Sequence, residues 1–393
     1  MSNSNLTVAV AQSDDVDTED AIAEVLAACE VQLGADIPSA GLLFAAIDYE
    51  HEEMLTAIQA RWPGIQIIGG TSDGELASAQ GYLEDSITLV VFASETLRFS
   101  AGMATGTSED SRAAAIRAAE AAHGESDEVP AMCWITPDGL KSNMTEVLAG
   151  LQDRFGASMP VLGGTAGDHW EFERCFQFCN GEVFQDGIPV LMVYGAVDFS
   201  VGVGSGWTPV GDKMLVTASE GNVVQSIDGR RAFDVFKDQF GDMVRDAFGE
   251  YPLAVYPPGD TSGEAHYLRA VYSVDEEAGT VGLGAELPVG ATVRLCNVER
   301  PRILDGARLS IEDALGTWQG DNPDLIVVVS CAARKWLLGE HAPAEYELLQ
   351  ETMATLGVSA PMVGFYSFGE IAPLGGSNQF HNETCVSIAL RAA

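Results

Sequence analysis

The residues best suited to chemistry stand beside glycine, just after short apolar runs. Three stretches share the pattern: Gly69-Gly70-Thr71-Ser72-Asp73-Gly74-Glu75, Gly163-Gly164-Thr165-Ala166-Gly167-Asp168 and Gly364-Phe365-Tyr366-Ser367-Phe368-Gly369-Glu370. A glycine turn at a strand end lets backbone approach a ligand and present N–H groups. Gly70, Thr71, Gly164 and Thr165 are therefore candidate ligand contacts. Glu75 and Glu370 close the first and third copies. Either would receive a ligand ammonium, or cap N–H groups of its own turn. In the second copy, Asp168 and His169 stand where the others have Gly-Glu. None of the three has the spacing of a P-loop or a dinucleotide fingerprint.

Other candidates lie close by. Arg334 follows a predicted strand end, where ligand sites gather in α/β folds, and its guanidinium suits a carboxylate. Tyr366 offers a ring and a hydroxyl, and Asn382 and His381 precede the last predicted strand. No two of the six histidines have metal-ligand spacing; for haem, His169 and His381 are the axial candidates. Cys331, shortly before Arg334-Lys335, is the candidate for an activated thiol. The seven cysteines are otherwise expected to be reduced core residues. No G-x-S-x-G elbow is present.

The elements that position these residues recur as well. Apolar runs at 65–68, 160–162 and 361–363 enter the three turns, a helical pattern precedes each, and a strand follows each. Strand, helix, strand, glycine turn and strand thus form a unit present three times. A crossover helix favours parallel pairing, and the last strand of each unit is expected to add antiparallel. Between the second and third units, 208–297 reads as a β-meander, with a helix over 229–248 stopped by Gly249. The expected fold is mixed α/β, with duplicated units and two domains, 1–222 and 223–393.

Composition bounds the function. The chain has 393 residues, 47% of them apolar, enough for two or three cores. Acidic residues number 58 against 20 basic, and only four of the latter are lysine. Such a field repels nucleic acid and anionic membranes. No apolar run approaches the roughly 18 residues of a membrane span, and the N-terminus lacks a secretory pattern, so a cytoplasmic protein is expected.

In the C-terminal half, Y-P-L-A-V-Y (251–256), Y-L-R-A-V (267–271), G-F-Y-S-F-G-E-I-A-P (364–373) and F-H-N-E-T (380–384) resemble the FIST family, as do G-L-L-F-A (41–45) and I-I-G-G-T-S-D-G-E-L (67–76) in the N-terminal half. The resemblance spans essentially the whole chain, as an N-terminal FIST domain followed by its C-terminal partner. It implies a sensory, small-ligand-binding module of prokaryotic signalling, with amino acids among the ligands. Some members bind haem and respond to nitric oxide. Two departures bear on pocket polarity: Ala332-Ala333 replaces a glycine beside Arg334, and Phe368 replaces a tyrosine. The expectation is a small polar ligand held by Arg334, Glu370 and Tyr366, with no cofactor or, alternatively, haem. The chain has no recognisable kinase, cyclase or methyl-accepting segment, so output would pass to a separate partner or through a change of assembly.

Overall fold

The computed structural model describes residues 5–242, 248–256, 266–320 and 322–393. Its first unit comprises β1 (Leu6–Ser13), α1 (Thr18–Leu33), β2 (Ala40–Ala45), α2 (His51–Arg61), β3 (Gln66–Thr71), the hairpin β4 (Glu75–Ala77) and β5 (Gly81–Leu83), and β6 (Ile87–Ser94). The sequence dictates these locally. Asp17 caps α1 by accepting from Glu19 N and Asp20 N, Ala21, Ile22, Val25, Leu26, Cys29 and Leu33 form its buried stripe, and Gly34 ends it.

The second unit repeats the order: β7 (Arg98–Thr105), α3 (Thr107–His123), β8 (Met132–Ile135), α4 (Met144–Phe155), β9 (Val161–Gly164), β10 (Gln177–Cys179), β11 (Glu182–Phe184) and β12 (Gly187–Tyr194). The third opens with β13 (Val197–Gly204). An insert follows: β14 (Thr208–Glu220), β15 (Val223–Ile227), β16 (Arg230–Arg231), α5 (Ala232–Phe240), β17 (Leu253–Tyr256), β18 (Tyr267–Arg269), β19 (Val271–Asp275), β20 (Thr280–Leu283) and β21 (Thr292–Asn297). The unit then resumes with α6 (Arg300–Thr317), β22 (Leu325–Cys331), α7 (Ala332–Leu338), α8 (Pro343–Thr355), β23 (Met362–Ser367), β24 (Glu370–Leu374), β25 (Ser377–His381) and β26 (Cys385–Ala392).

Three six-stranded sheets have one topology: β1-β6-β2-β3-β10-β11, β7-β12-β8-β9-β24-β25 and β13-β26-β22-β23-β4-β5. In each, a strand–helix–strand crossover joins a parallel pair and the unit's last strand adds antiparallel. The edge hairpin always comes from another unit: β4–β5 joins the third sheet, β10–β11 the first, and β24–β25 the second. Inner faces of all three sheets share one core, in which Phe44 and Phe365 stack with centroids 4.0 Å apart. Helices cover the outer faces. Mixed α/β architecture with triplicated units is thus observed; each unit carries an opening strand and helix and a two-stranded hairpin beyond the strand, helix, strand, glycine turn and strand of the sequence pattern.

The insert forms its own sheet and core, ordered β18-β17-β21-β14-β15-β20-β19, with β16 on β15. Residue 222, the expected domain boundary, lies in the turn between β14 and β15; the chain changes sheets earlier, between β13 and β14. The helix expected over 229–248 begins at Ala232 and ends at Phe240, capped by Gly241, because that glycine adopts φ 68°. The rest of that expected helix, over 243–247, lies outside the described residues.

Candidate functional site

The three glycine turns meet at one end of the central core. Asp73 N donates to Tyr366 O (3.0 Å), Thr165 N to Gly369 O (2.9 Å) and Gly167 N to Thr71 O (2.9 Å). Thr71 Oγ1 also donates to Gly167 O (2.7 Å). The first glycine of each turn answers to strand packing. A Cβ on Gly69, Gly163 or Gly364 would lie 1.7, 2.0 or 2.2 Å from the carbonyl oxygen of Leu43, Ile135 or Val328. Gly70 and Gly164 likewise sit tightly against the central core, 3.1 Å and 2.5 Å from Thr136 Cγ2 and Val329 Cγ1 when given a Cβ.

Strand register identifies equivalent acids. Glu75 faces Phe365, Glu370 faces Gly164, and Gln177 faces Gly70. The counterpart of Glu75 and Glu370 in the second unit is therefore Gln177, not Asp168-His169, because the loop before the hairpin is eight residues longer there, an insertion within 168–176. All three side chains are fully buried. Glu75 accepts from Ser72 and Ser86, and Glu370 accepts from Ser367 Oγ (3.3 Å), Thr384 N (3.2 Å) and Thr384 Oγ1 (2.6 Å). Burial pushes both carboxyls up to about 8 against these hydrogen bonds. Both glutamates thus close their own turns. Gln177 has no partner for either amide atom, and Thr165 Oγ1 is also buried without one.

The inserted loop supplies aromatic rings. Asp168, fully buried, accepts from Phe172 N (2.9 Å), Glu173 N (2.7 Å) and Arg174 N (2.9 Å). This holds His169, Trp170 and Phe172 at φ 58°, 65° and 56°, a region costly for residues with side chains. Phe172 then stacks on Phe368 (4.9 Å), and Trp170 on the exposed ring of Trp336 (5.7 Å). Asp73 beneath accepts from His169 N (3.0 Å), and burial raises its carboxyl to about 7.

These rings wall a crevice between the third unit and the insert. Its other walls include Ala270 and Tyr272 of the insert, and Cys331, Ser367, Phe368 and Glu383 of the unit. Tyr272 donates its hydroxyl to Phe368 O, and Ala270 N donates to Asn382 Oδ1 (3.4 Å), so the insert and the third unit are tied across it. The free volume is about 10 Å³, close to that of one water. Glu383 is a candidate functional residue that sequence pattern misses. It is fully buried, at φ 62°, and neither carboxyl oxygen has a hydrogen-bond partner. Burial and the neighbouring Glu370 hold its carboxyl well above the usual range. Asn382 Nδ2 is likewise buried and unpartnered. Glu383 and Asn382 stand side by side in F-H-N-E-T, but only the fold shows both with unmet polar atoms.

Several expected roles do not survive the geometry. Arg334 is fully buried and spent: Nε donates to Ser330 Oγ (3.1 Å) and Glu345 Oε1 (3.0 Å), Nη1 to Ser205 O (2.5 Å) and Nη2 to Ile303 O (2.7 Å). It has no face left for a ligand carboxylate. Tyr366 points to the outer core and donates to Glu345 Oε2 (2.9 Å), because alternation along β23 sends Phe365 and Ser367 the other way. The Cys331 thiol is held well above its ordinary value by burial and by Glu370 and Glu383, the opposite of activation.

The histidines do not fit haem. His381 is buried with Nε2 3.2 Å from Ala372 O, and burial lowers it to about 4. His169 has Nδ1 3.3 Å from Asp85, and its buried Nε2 is unbonded. Neither lines the crevice, which lacks room for a macrocycle. No group of three His, Cys, Asp or Glu is arranged for a metal among the described residues. No helix among them is long and apolar enough to cross a membrane.

Comparison with known proteins places the chain. It is 24% identical over 412 residues to an uncharacterized protein of Mycobacterium tuberculosis (strain H37Rv), covering 98% of this chain and 99% of that one. An uncharacterized protein of Methanocaldococcus jannaschii is 32% identical over 88 residues, covering 22% of this chain and 17% of that one. Among solved structures, cyanuric acid hydrolase from A. caulinodans aligns over 98% of this chain and 99% of its own, at 9% identity and a TM-score of 0.38. The FIST N domain matches residues 39–230 and the FIST C domain residues 232–373, domains that serve generally as sensory modules of signal transduction. The chain therefore belongs to the FIST family, with both of the family's domains in sequence.

Proposed function

We propose that this protein is a signal-transduction sensor that binds a small ammonium-bearing metabolite, an amino acid foremost, in the crevice between the third unit and the insert. The single observation that carries this is the Glu383 carboxyl, fully buried and without a partner, on the wall of a crevice. A buried acid lacking hydrogen bonds is costly, and an arriving ammonium would satisfy it. Phe172, Phe368 and Trp170 would cover an apolar side chain, and the unpartnered Nδ2 of Asn382, next to Glu383 in the chain, would donate to a ligand carboxylate once the insert moves away from it. Glu370 lies behind Glu383, and the two buried acids oppose each other's ionisation until a cation arrives.

The crevice is closed around about one water, so binding requires the insert to move away from Phe368 and Asn382. That displacement is the signal, read by a separate output protein such as a kinase or cyclase, or by a change of assembly. The acidic surface disfavours nucleic acid and anionic membranes as partners, and a cytoplasmic setting suits the free cysteines.

Thermal-shift and calorimetric screens of the amino acids and simple amines test this. At least one should bind saturably, and Glu383→Gln, a neutral isostere that retains the fold, should weaken it by tenfold or more, about 1.4 kcal/mol. If no probe binds the folded protein, or binding is indifferent to Glu383→Gln, the reading fails.

A further inference from the structure

A second concavity, separate from the crevice, lies between α4, the start of β18 and the β24–β25 hairpin. Its volume is about 590 Å³, within the range of small-molecule sites. Leu148, Ala149, Leu374 and Phe380 give it an apolar lining, and Arg269 is its cation.

The disposition of that guanidinium is specific. Nη1 donates to Leu268 O (3.0 Å) and Phe380 O (3.2 Å), which fixes the group in place. Tyr267 faces it, with Cζ 4.4 Å from the ring centroid. Nε is buried with no partner, and Nη2 makes no hydrogen bond among the described residues. The Nε–Nη2 edge is the side of a guanidinium that grips an oxyanion through two parallel hydrogen bonds. No Asp or Glu among the described residues forms an ion pair with Arg269, although the chain carries 58 of them. The groups acting on its charge are the phenols of Tyr267 and Tyr272. Arg334 shows the contrast: there a carboxylate, Glu345, occupies the same guanidinium edge.

We propose that this groove is a second small-molecule site, which takes a metabolite bearing a carboxylate or phosphate on an apolar body, with the oxyanion on the Nε–Nη2 edge of Arg269. The apolar lining receives the body, and a small rotation of the Tyr267 ring uncovers Nε. The site does not depend on occupancy of the crevice.

Benzoate and phenyl phosphate are the probes, titrated calorimetrically into the full chain at constant ionic strength, with benzyl alcohol as the neutral match. One of the two anions should bind at a single site, about tenfold or more tighter than the alcohol. Which anion does so distinguishes a carboxylate from a phosphate ligand. Arg269→Gln should abolish the preference for the anion. Ala149→Trp, which fills the groove from α4 without removing the guanidinium, should abolish binding of both anions; it carries the test alone if Arg269→Gln does not fold. Absence of anion binding to the wild-type chain, or anion binding unchanged in either folded variant, would overturn the proposal.

Discussion

Arg334 and Glu345 form an ion pair with no exposed surface, Nε lying 3.0 Å from Oε1. Ser330 and Tyr366 donate to the other carboxylate oxygen, and the carbonyls of Ser205 and Ile303 occupy the rest of the guanidinium. The cluster locks β22, β23, α6 and α8 together beneath the third turn. Removing one partner leaves a buried charge alone. Glu345→Gln should therefore cost about 3–5 kcal/mol in urea unfolding, whereas a double replacement, Arg334→Met with Glu345→Leu, should recover much of it. A single-variant loss below about 1 kcal/mol, typical of exposed pairs, would show that the cluster is not as buried as described.

Stability should fall as pH rises from about 4.5 to about 8. Glu75 and Glu370 are pushed up to about 8, and Asp73 to about 7, chiefly by burial. With folded-state values above the unfolded ones, the native state binds more protons across this window. Their contribution is fully present below the unfolded values and is lost as pH passes the folded ones. Glu75→Gln and Glu370→Gln should flatten the decline in urea midpoints, measured at high salt to suppress the general acidic repulsion. Gln177 already puts an amide at the equivalent place in the second unit. An unchanged slope in both variants would assign the pH dependence elsewhere.

Ligand binding at Glu383 should release a proton. Its carboxyl is held well above the usual range when unliganded, and an ammonium beside it favours the ionised form. Affinity for the ammonium ligand should therefore rise with pH until Glu383 ionises without it. Calorimetry in buffers of different ionisation enthalpy reads the released proton directly, and Glu383→Gln should show none.

Asp168→Ala should release the inserted loop. The carboxylate satisfies three backbone N–H groups, and with it gone the left-handed conformations at His169, Trp170 and Phe172 lose their support. A loss of about 2–4 kcal/mol is expected, from hydrogen bonds to a charged group. Cleavage by protease within 168–176, together with changed tryptophan emission as Trp170 leaves Trp336, should accompany it.

Much of the frame is visible in the sequence, because apolar runs, caps and the glycine turns act locally. What escapes is the strand and helix that open the second and third units. β7 and β13 carry glycine where a helix backbone presses on them: a Cβ at Gly102 would lie 2.2 Å from Ala122 N, and one at Gly204 1.9 Å from Gly306 O. Helix α3 buries mainly alanine, so its apolar stripe is faint. Glu370 and Asn382 stand out in the sequence by their turns, but whether they touch a ligand is not written there, and the role of Arg334 is decided by Glu345, eleven residues away and in another helix. Glu383 cannot be singled out in sequence, since its significance is the lack of any partner in space.

The exchange of hairpins closes into a ring, and this sets a timetable for synthesis. Glu75 and its neighbours leave the ribosome early, yet the strand they lie against, which contains Phe365, is made almost last. Until then β4 and β5 have no sheet to join, and the first turn is a loose end of a nascent chain. The earliest segment and the latest one thus complete each other, and no amino-terminal fragment ending before β23 should hold the turns in their native arrangement.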